Sequence, residues 1–182
     1  AASLLQPVRC WTVLTGFPNH PTGVLHPDYR ARFRRLVNRE AVAGVDVVRT
    51  WLWPLPNRRA LERIVNYVSF CLSAALTGTF LRRPDVVIAT SPQIFVGLAG
   101  WWLGLVKRVP FVFEVRDLWP ESIEAVGAVK RRWMLAPLYG LVGILYRRAR
   151  LIVLVSHSSM DALAARGIPE SKLAVITNGV DL

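Results

Sequence analysis

The chain has 182 residues, which fits one domain with a full-sized core, and its hydrophobic content of 53% with seven tryptophans excludes a disordered chain. Its formal net charge of +11 indicates an anionic partner such as nucleic acid, a phosphorylated ligand or an acidic membrane surface. The two cysteines make no disulfide framework and have no metal-ligand spacing to the histidines, so we predict reduced thiols and no metal site.

The first part of the chain predicts two strands. Residues 8–15 form the first, and a loop with two prolines and two glycines follows it. His20 lies in this loop; a loop histidine is more often a surface residue, but its place after a strand end makes it a candidate for ligand binding. Residues 30–39 are rich in arginine and predict a solvated face. Residues 45–53 are rich in β-branched and aromatic side chains and predict the second strand.

A long helix is predicted for residues 58–81. Residues 64–80 within it are nearly uncharged, and a membrane-spanning helix needs about 20 apolar residues. The run is interrupted by polar residues from Asn66 to Thr79. We therefore interpret it as a buried helix packed on a sheet, with a membrane-spanning segment as the alternative.

The second part of the chain alternates apolar strands with helices. Residues 86–89 are a continuous apolar run, typical of a parallel strand covered on both faces, and end near Ser91. The apolar run that begins at Phe111 becomes charged at Arg116 and Asp117, and Pro120 suits the first turn of a new helix. The remaining predicted elements are helices at 94–106, 130–148 and 160–166 and strands at 151–155 and 173–176.

This alternation predicts a parallel sheet with right-handed crossovers and helices on both faces. The carboxyl ends of its strands share one edge, where a ligand cleft is the usual arrangement. The residues expected to converge there are Thr15–Gly16, Thr90–Ser91, Arg116–Asp117, Ser156–His157 and Asn178–Gly179. For Arg116 and Asp117 the spacing leaves two roles open, a structural ion pair or part of a ligand site. No dinucleotide, Walker A, nucleophile-elbow or paired-carboxylate hydrolase motif is found.

Several stretches resemble a known family. FVFEVRDLWPES from Phe111, VSHSSMDAL near Ser156 and the final VITNGVDL are similar to the N-terminal half of a GT-B fold glycosyltransferase of family 4. TGFPNHPTG and PDVVIATSPQIFVGLAG resemble the bacterial surface-polysaccharide branch, with its N-acetylfucosaminyl- and colanic-acid-type transferases. The resemblance implies a Rossmann-like, three-layer parallel sheet and transfer of a hexosyl group with retention, without a metal ion. It also implies no cofactor beyond the nucleotide-sugar co-substrate.

The resemblance also assigns residues. Asp117 would orient the acceptor, and Arg116 replaces a histidine that many relatives have; arginine cannot act as a base at neutral pH but can hold a phosphate or a sugar hydroxyl. The implied acceptor-binding residues are Gly16, His20, Ser91, Glu121, Ser156 and His157. Asn178, Gly179 and Asp181 would face the donor at the interdomain hinge.

The same resemblance implies an acceptor-side domain at 1–177, the start of a linker at 178–182 and a donor-binding domain that this sequence does not contain. The family's first strand and glycine-rich loop would precede Ala1, so we expect no sugar transfer by this stretch alone. The implied partners are a lipid-linked glycan acceptor, the nucleotide-sugar bound in the full-length protein and an anionic membrane. The implied location is cytoplasmic, peripherally attached to the inner face of the plasma membrane.

Basic clusters at 30–35, 58–59 and 130–132, with Trp51, Trp53 and Trp133 nearby, also suit an anionic membrane surface. Two other functions stay open, a basic nucleic-acid-binding domain and a regulatory α/β domain without catalysis. The arginines are scattered over several segments and no RNA-binding motif is found, so we expect no nucleic-acid partner.

Overall fold

The structure is a computed structural model, and it describes residues 11–19, 21–56, 58–91, 93–118 and 135–177. The chain divides into two compact units, Ala1–Phe80 and Leu81–Leu182. Each unit combines a β-sheet with helices, and the second unit has a parallel four-stranded sheet. The predicted α/β, Rossmann-like class is confirmed.

The first unit has a three-stranded sheet of order β1-β3-β2. Its strands are β1 (Thr12–Gly16), β2 (Val37–Val42) and β3 (Val45–Thr50). Two short 3-10 helices, Pro27–Tyr29 and Arg32–Arg34, precede β2, and helix α1 (Ala60–Phe80) follows β3. Phe17, Val48 and Leu52 are buried in the core of this unit.

The prediction of a parallel sheet was wrong for one strand pair of the first unit. β2 runs antiparallel to β3, while β1 runs parallel to β3. The cause is a two-residue turn at Ala43 and Gly44, whose φ angles of 49° and 80° match the hairpin turn that fits the right-handed twist of paired strands. The arginine-rich segment 30–39 is therefore in part a strand, not only a solvated face.

Helix α1 was expected to be buried, and most of it is not. The buried residues of this helix are Asn66, Ala74 and Gly78. Its polar side chains face the sheet because they bond to backbone carbonyls beyond β3: Ser73 Oγ donates to Trp51 O, and Asn66 Nδ2 donates to Trp53 O at 3.1 Å. In the described parts of the chain, none of the helices has the length and apolar character needed to cross a membrane.

The second unit has four parallel strands in the order β4-β5-β6-β7. The strands are β4 (Val87–Thr90), β5 (Phe111–Val115), β6 (Leu151–Leu154) and β7 (Leu173–Val175). The helices are α2 (Ile94–Lys107), α3 (Ala136–Arg148) and α4 (His157–Ala164). The core of this unit contains residues from both the strands and the helices: Phe111, Phe113, Leu145, Ile152 and Leu163. The helices therefore pack on the apolar strands.

Helix α2 lies unusually close to the sheet because glycines face it. A Cβ on Gly100 would lie 2.6 Å from Ala89 Cβ, and one on Gly97 would lie 2.9 Å from the ring of Phe113. The same construction at Gly104 meets β5 at 3.0 Å. Real Cβ atoms do not approach other carbons this closely, so the spacing of 97, 100 and 104 sets the distance between α2 and the strands.

We predict that Gly100→Ala destabilises the protein. The added methyl group overpacks the contact with β4, and the loss of about 1–3 kcal/mol in the free energy of unfolding outweighs the helix-propensity gain of about 1 kcal/mol. Gly140→Ala is the matched control, since Gly140 is exposed on helix α3 and none of the described residues lies within 4 Å of its added Cβ. Urea denaturation should show the two substitutions acting in opposite directions; equal effects would contradict the close-packing account.

Candidate functional site

The carboxyl ends of β4 and β5 are joined by three hydrogen bonds. Thr90 Oγ1 donates to Glu114 Oε2 at 2.7 Å, and Ser91 N donates to Glu114 O at 2.8 Å. Arg116 N donates to Ser91 Oγ at 2.8 Å. The Ser91 hydroxyl is buried, with 3% of the residue exposed, and therefore fixes the backbone of the residue that leaves β5.

Arg116 and Asp117 follow this bond directly and are both exposed. Within the ranges described, neither side chain forms an ion pair, so no Arg116–Asp117 bridge caps the strand end. A guanidinium that keeps its charge can bind a phosphate or a hydroxyl group, and a carboxylate can accept a hydrogen bond from a sugar hydroxyl. The strand end thus presents one cationic and one anionic group beside each other.

Ser156 and His157 lie at the next strand end, after β6. Ser156 is the N-cap of α4, and its Oγ accepts a hydrogen bond from Ser159 N at 3.2 Å. The Ser156 hydroxyl also lies 3.1 Å from Ser158 Oγ and 2.9 Å from Ser159 Oγ. His157 is the first residue of the helix and is exposed. Capping occupies Ser156 in part, while His157 remains accessible.

Gly16 ends β1 and belongs to the first unit, whereas the residues of the strand ends described so far, from Ser91 to His157, belong to the second unit. A Cβ on Gly16 would lie 2.5 Å from Leu52 Cδ2, so a larger residue there would require the buried Leu52 side chain to shift. Its carbonyl oxygen accepts a hydrogen bond from Arg49 Nη1 at 3.3 Å. The end of β1 is therefore held by a cationic side chain from β3, which the sequence did not indicate.

Arg49 is itself held by Glu40 and Tyr29. Arg49 Nε donates to Glu40 Oε1 at 2.5 Å, and its guanidinium lies 4.8 Å from the ring centroid of Tyr29. Tyr29 Oη donates to Glu40 Oε1 at 3.0 Å, and Arg32 Nη1 donates to Oε2 at 3.1 Å. The hydrogen bond from Arg49 is the main cause that holds the pKa of Glu40 below its ordinary value of 4.5.

Some sequence-predicted site residues lie outside the described residues: His20, Glu121, Asn178, Gly179 and Asp181. The structure brings Ser91 and Arg116 together at one edge of the four-stranded sheet, with Asp117 next in the chain. Thr90 was among the residues expected at this edge, but its hydrogen bond to Glu114 was not predicted, and Glu114 was not assigned to the site. The signal for Glu114 was its charge within the apolar strand FVFEV. Over the described stretches, no three histidine, cysteine or acidic side chains group closely enough to hold a metal ion.

Comparison with protein families gives one match that covers most of the chain. The family described as "Glycosyl transferase 4-like domain" matches residues 8–179. This span covers most of both units and includes every strand named above. A comparison with curated proteins found no match.

We predict that Ser91→Ala lowers the free energy of unfolding by about 0.5–1.5 kcal/mol, because the Arg116 amide then loses the buried Ser91 hydroxyl as its acceptor. Ser171→Ala is the control, since Ser171 is exposed in the same unit. Its effect should stay within about 0.5 kcal/mol by urea denaturation. A Ser91→Ala protein as stable as the control would show that the 2.8 Å contact contributes nothing.

We predict that Glu40→Gln destabilises the chain at neutral pH by about 1.5–3 kcal/mol, since it removes charge-assisted hydrogen bonds. Because the folded pKa of Glu40 lies below 4.5, its stabilising contribution is present above that pH and is lost as the pH falls through the lowered folded value. The stability difference between wild type and Glu40→Gln should therefore shrink as the pH is lowered past 4.5.

Unfolding of both proteins in urea across this pH range measures the difference directly. Glu170→Gln serves as the control, because Glu170 is exposed and takes part in no ion pair with any described residue. A difference between wild type and Glu40→Gln that stays constant with pH would contradict the assigned role of the carboxylate.

Proposed function

The chain belongs to the glycosyltransferase 4-like family, and we propose that it is the acceptor-side domain of an enzyme that moves a sugar from a nucleotide-sugar to a lipid-linked or polysaccharide acceptor. The observation that carries the proposal is the family match over residues 8–179. It favours a transferase over a nucleic-acid-binding domain or a regulatory domain without catalysis.

The strand-end geometry supports a location for the acceptor. In parallel α/β sheets, ligands bind outside the carboxyl ends of the strands. At that edge the structure has Arg116 and Asp117, exposed and without an ion-pair partner among the described residues. The buried Ser91 hydroxyl fixes the backbone from which both side chains project. A fixed backbone with free charged groups is suited to orienting a polar substrate.

The chemistry of transfer gives these two residues different roles. The bond between the anomeric carbon and the leaving phosphate oxygen breaks, and a new bond forms between that carbon and an acceptor hydroxyl oxygen, whose proton passes to the leaving phosphate. Asp117 accepts a hydrogen bond from an acceptor hydroxyl and so orients it. Arg116 stays charged and holds a phosphate or a hydroxyl, but it cannot take the proton. Retention at the anomeric carbon and independence from metal ions are part of the proposal.

The acceptor in this proposal is a lipid-linked diphosphate sugar in bacterial surface-polysaccharide synthesis. Such an acceptor carries negative charge and lies at a membrane surface. The net charge of +11 favours attachment to anionic lipid. We therefore propose peripheral attachment to the inner face of the plasma membrane, with the nucleotide-sugar bound mainly by a donor-binding domain of the full-length protein.

We predict that Asp117→Asn in the full-length enzyme lowers kcat/KM by about ten- to a hundredfold, because one oriented charge-assisted hydrogen bond is lost. The fold should be unchanged, since the side chain is exposed. The measurement is initial-rate kinetics of sugar transfer, together with a thermal unfolding curve of each protein.

Asp85→Asn is the matched control. Asp85 is an exposed aspartate that precedes β4 at the amino-terminal edge of the same sheet. It should keep wild-type kinetics. Full activity of Asp117→Asn, or loss of its folded state, would overturn the assigned role and return Asp117 to a structural one.

A further inference from the structure

Glu114 is a charged residue inside an otherwise apolar strand. The residues of β5 on one face of the sheet are buried in the core: Phe111, Phe113 and Val115. Because successive side chains of a strand point to opposite faces, Glu114 lies on the other face, where it is half-buried. Packing of the core does not explain this residue, since a carboxylate is costly to remove from water even in part.

The Glu114 carboxylate is held in place by a neighbouring strand without being neutralised. Its Oε2 accepts the hydrogen bond from Thr90 Oγ1 at 2.7 Å, and Thr90 lies directly opposite it in the register of β4 and β5. Among the residues that the structure describes, no cation forms an ion pair with Glu114, and no donor bonds to its Oε1. A carboxylate has about four acceptor sites, so this side chain keeps most of its capacity for a ligand.

The position of Glu114 matches the edge of the sheet where ligands bind. It is the next-to-last residue of β5, and Arg116 follows two residues later at the carboxyl end. Two residues advance a strand by about 6–7 Å, and the alternation of side chains returns Arg116 to the side of Glu114. The Arg116 amide donates to Ser91 Oγ, so the backbone there is still held beside β4. A hydrogen-bond acceptor and a cation therefore lie in line along one side of the strand end.

We propose that Glu114 binds a hydroxyl group of the acceptor sugar, and that Arg116 binds the diphosphate joined to that sugar. A carboxylate accepts hydrogen bonds from hydroxyl groups and repels phosphate, whereas a guanidinium attracts phosphate. The two charges therefore orient the acceptor with its sugar towards the strand and its diphosphate outward. The inference rests on the proposed function and adds a residue that determines specificity for the acceptor sugar.

A cross-strand pair with a structural role alone is the competing explanation. A threonine hydroxyl also donates to an uncharged amide oxygen, so joining β4 to β5 does not require a carboxylate. The strands are already joined at this point by the hydrogen bond from Ser91 N to Glu114 O at 2.8 Å, which does not use the glutamate side chain. Strand pairing therefore leaves the charge of Glu114 unexplained, and a ligand hydroxyl accounts for it.

The test is titration calorimetry of the full-length enzyme with farnesyl diphosphate-linked N-acetylglucosamine and with analogues that each lack one of its sugar hydroxyl groups. Glu114→Gln should weaken binding of the parent compound by about tenfold, because a charge-assisted hydrogen bond becomes a neutral one. One analogue should bind wild type more weakly than the parent does, since a site built to bond a hydroxyl discriminates against its absence. The same missing hydroxyl should cost Glu114→Gln about tenfold less than it costs wild type.

Glu170→Gln is the matched control. Glu170 is exposed and precedes β7 at the opposite, amino-terminal edge of the same sheet, so this variant should bind within about twofold of wild type. A thermal unfolding curve of each protein shows whether the fold is kept.

The other outcomes separate this inference from the proposed function. Glu114→Gln that binds every compound as wild type does, that loses affinity equally for all of them, or that fails to fold would overturn the inference and leave Glu114 with a structural role. None of these results touches the family or the role of Asp117. Absence of binding by wild type would overturn the lipid-linked acceptor of the proposed function together with the inference.

Discussion

The close contact between α2 and the strands β4 and β5 is the constraint on which the second unit depends. Glycines at positions 97, 100 and 104 allow the helix to contact Ala89, Phe111 and Phe113 closely. A shift of either strand would change which side chain lies beside each glycine, so the close contact with α2 favours the observed register. The position of the β5 end, and therefore of Arg116 and Asp117, follows from this packing.

At the ends of β4 and β5, some residues bond the two strands together and others are exposed. Ser91 is buried and bonded, and Thr90 and Glu114 bond to each other across the two strands. Arg116 and Asp117 project beyond them. In the proposed acceptor site, these hydrogen bonds hold the backbone that carries the charged groups, which would lower the entropy lost when a substrate is oriented.

Much of this arrangement could be predicted from the sequence, because continuous apolar runs that end in polar residues specify parallel strands and their shared edge. The hairpin of β2 and β3 was missed, since the Ala43-Gly44 turn lacks the asparagine or aspartate that usually signals it. The bonds of Glu40 to Arg49 and Tyr29 were also missed, because they depend on pairing between strands and not on spacing along the chain.

Which side of helix α1 faces the sheet could not be predicted from the periodicity of its sequence. Periodicity gives the angular separation of polar and apolar residues on a helix, but it does not say which side meets the sheet. The two tryptophan carbonyls beyond β3 decide this, because they attract Asn66 and Ser73. The hydrogen bonds of Asn66 and Ser73 favour the observed facing, since they give these carbonyls a partner and avoid the cost of an unpaired polar group.

A redesign of the first unit would have to keep the polar side chains of helix α1 that face the sheet. A library that keeps the apolar positions of α1 and randomises its polar ones would remove the hydrogen bonds of Asn66, Ser73 and Thr77 to β3 and the residues after it, because these polar side chains face the sheet. A variant of the first unit that is isolated and resistant to aggregation would instead carry polar helix formers in place of the exposed leucines of α1. It would retain each serine, threonine and asparagine that faces the sheet.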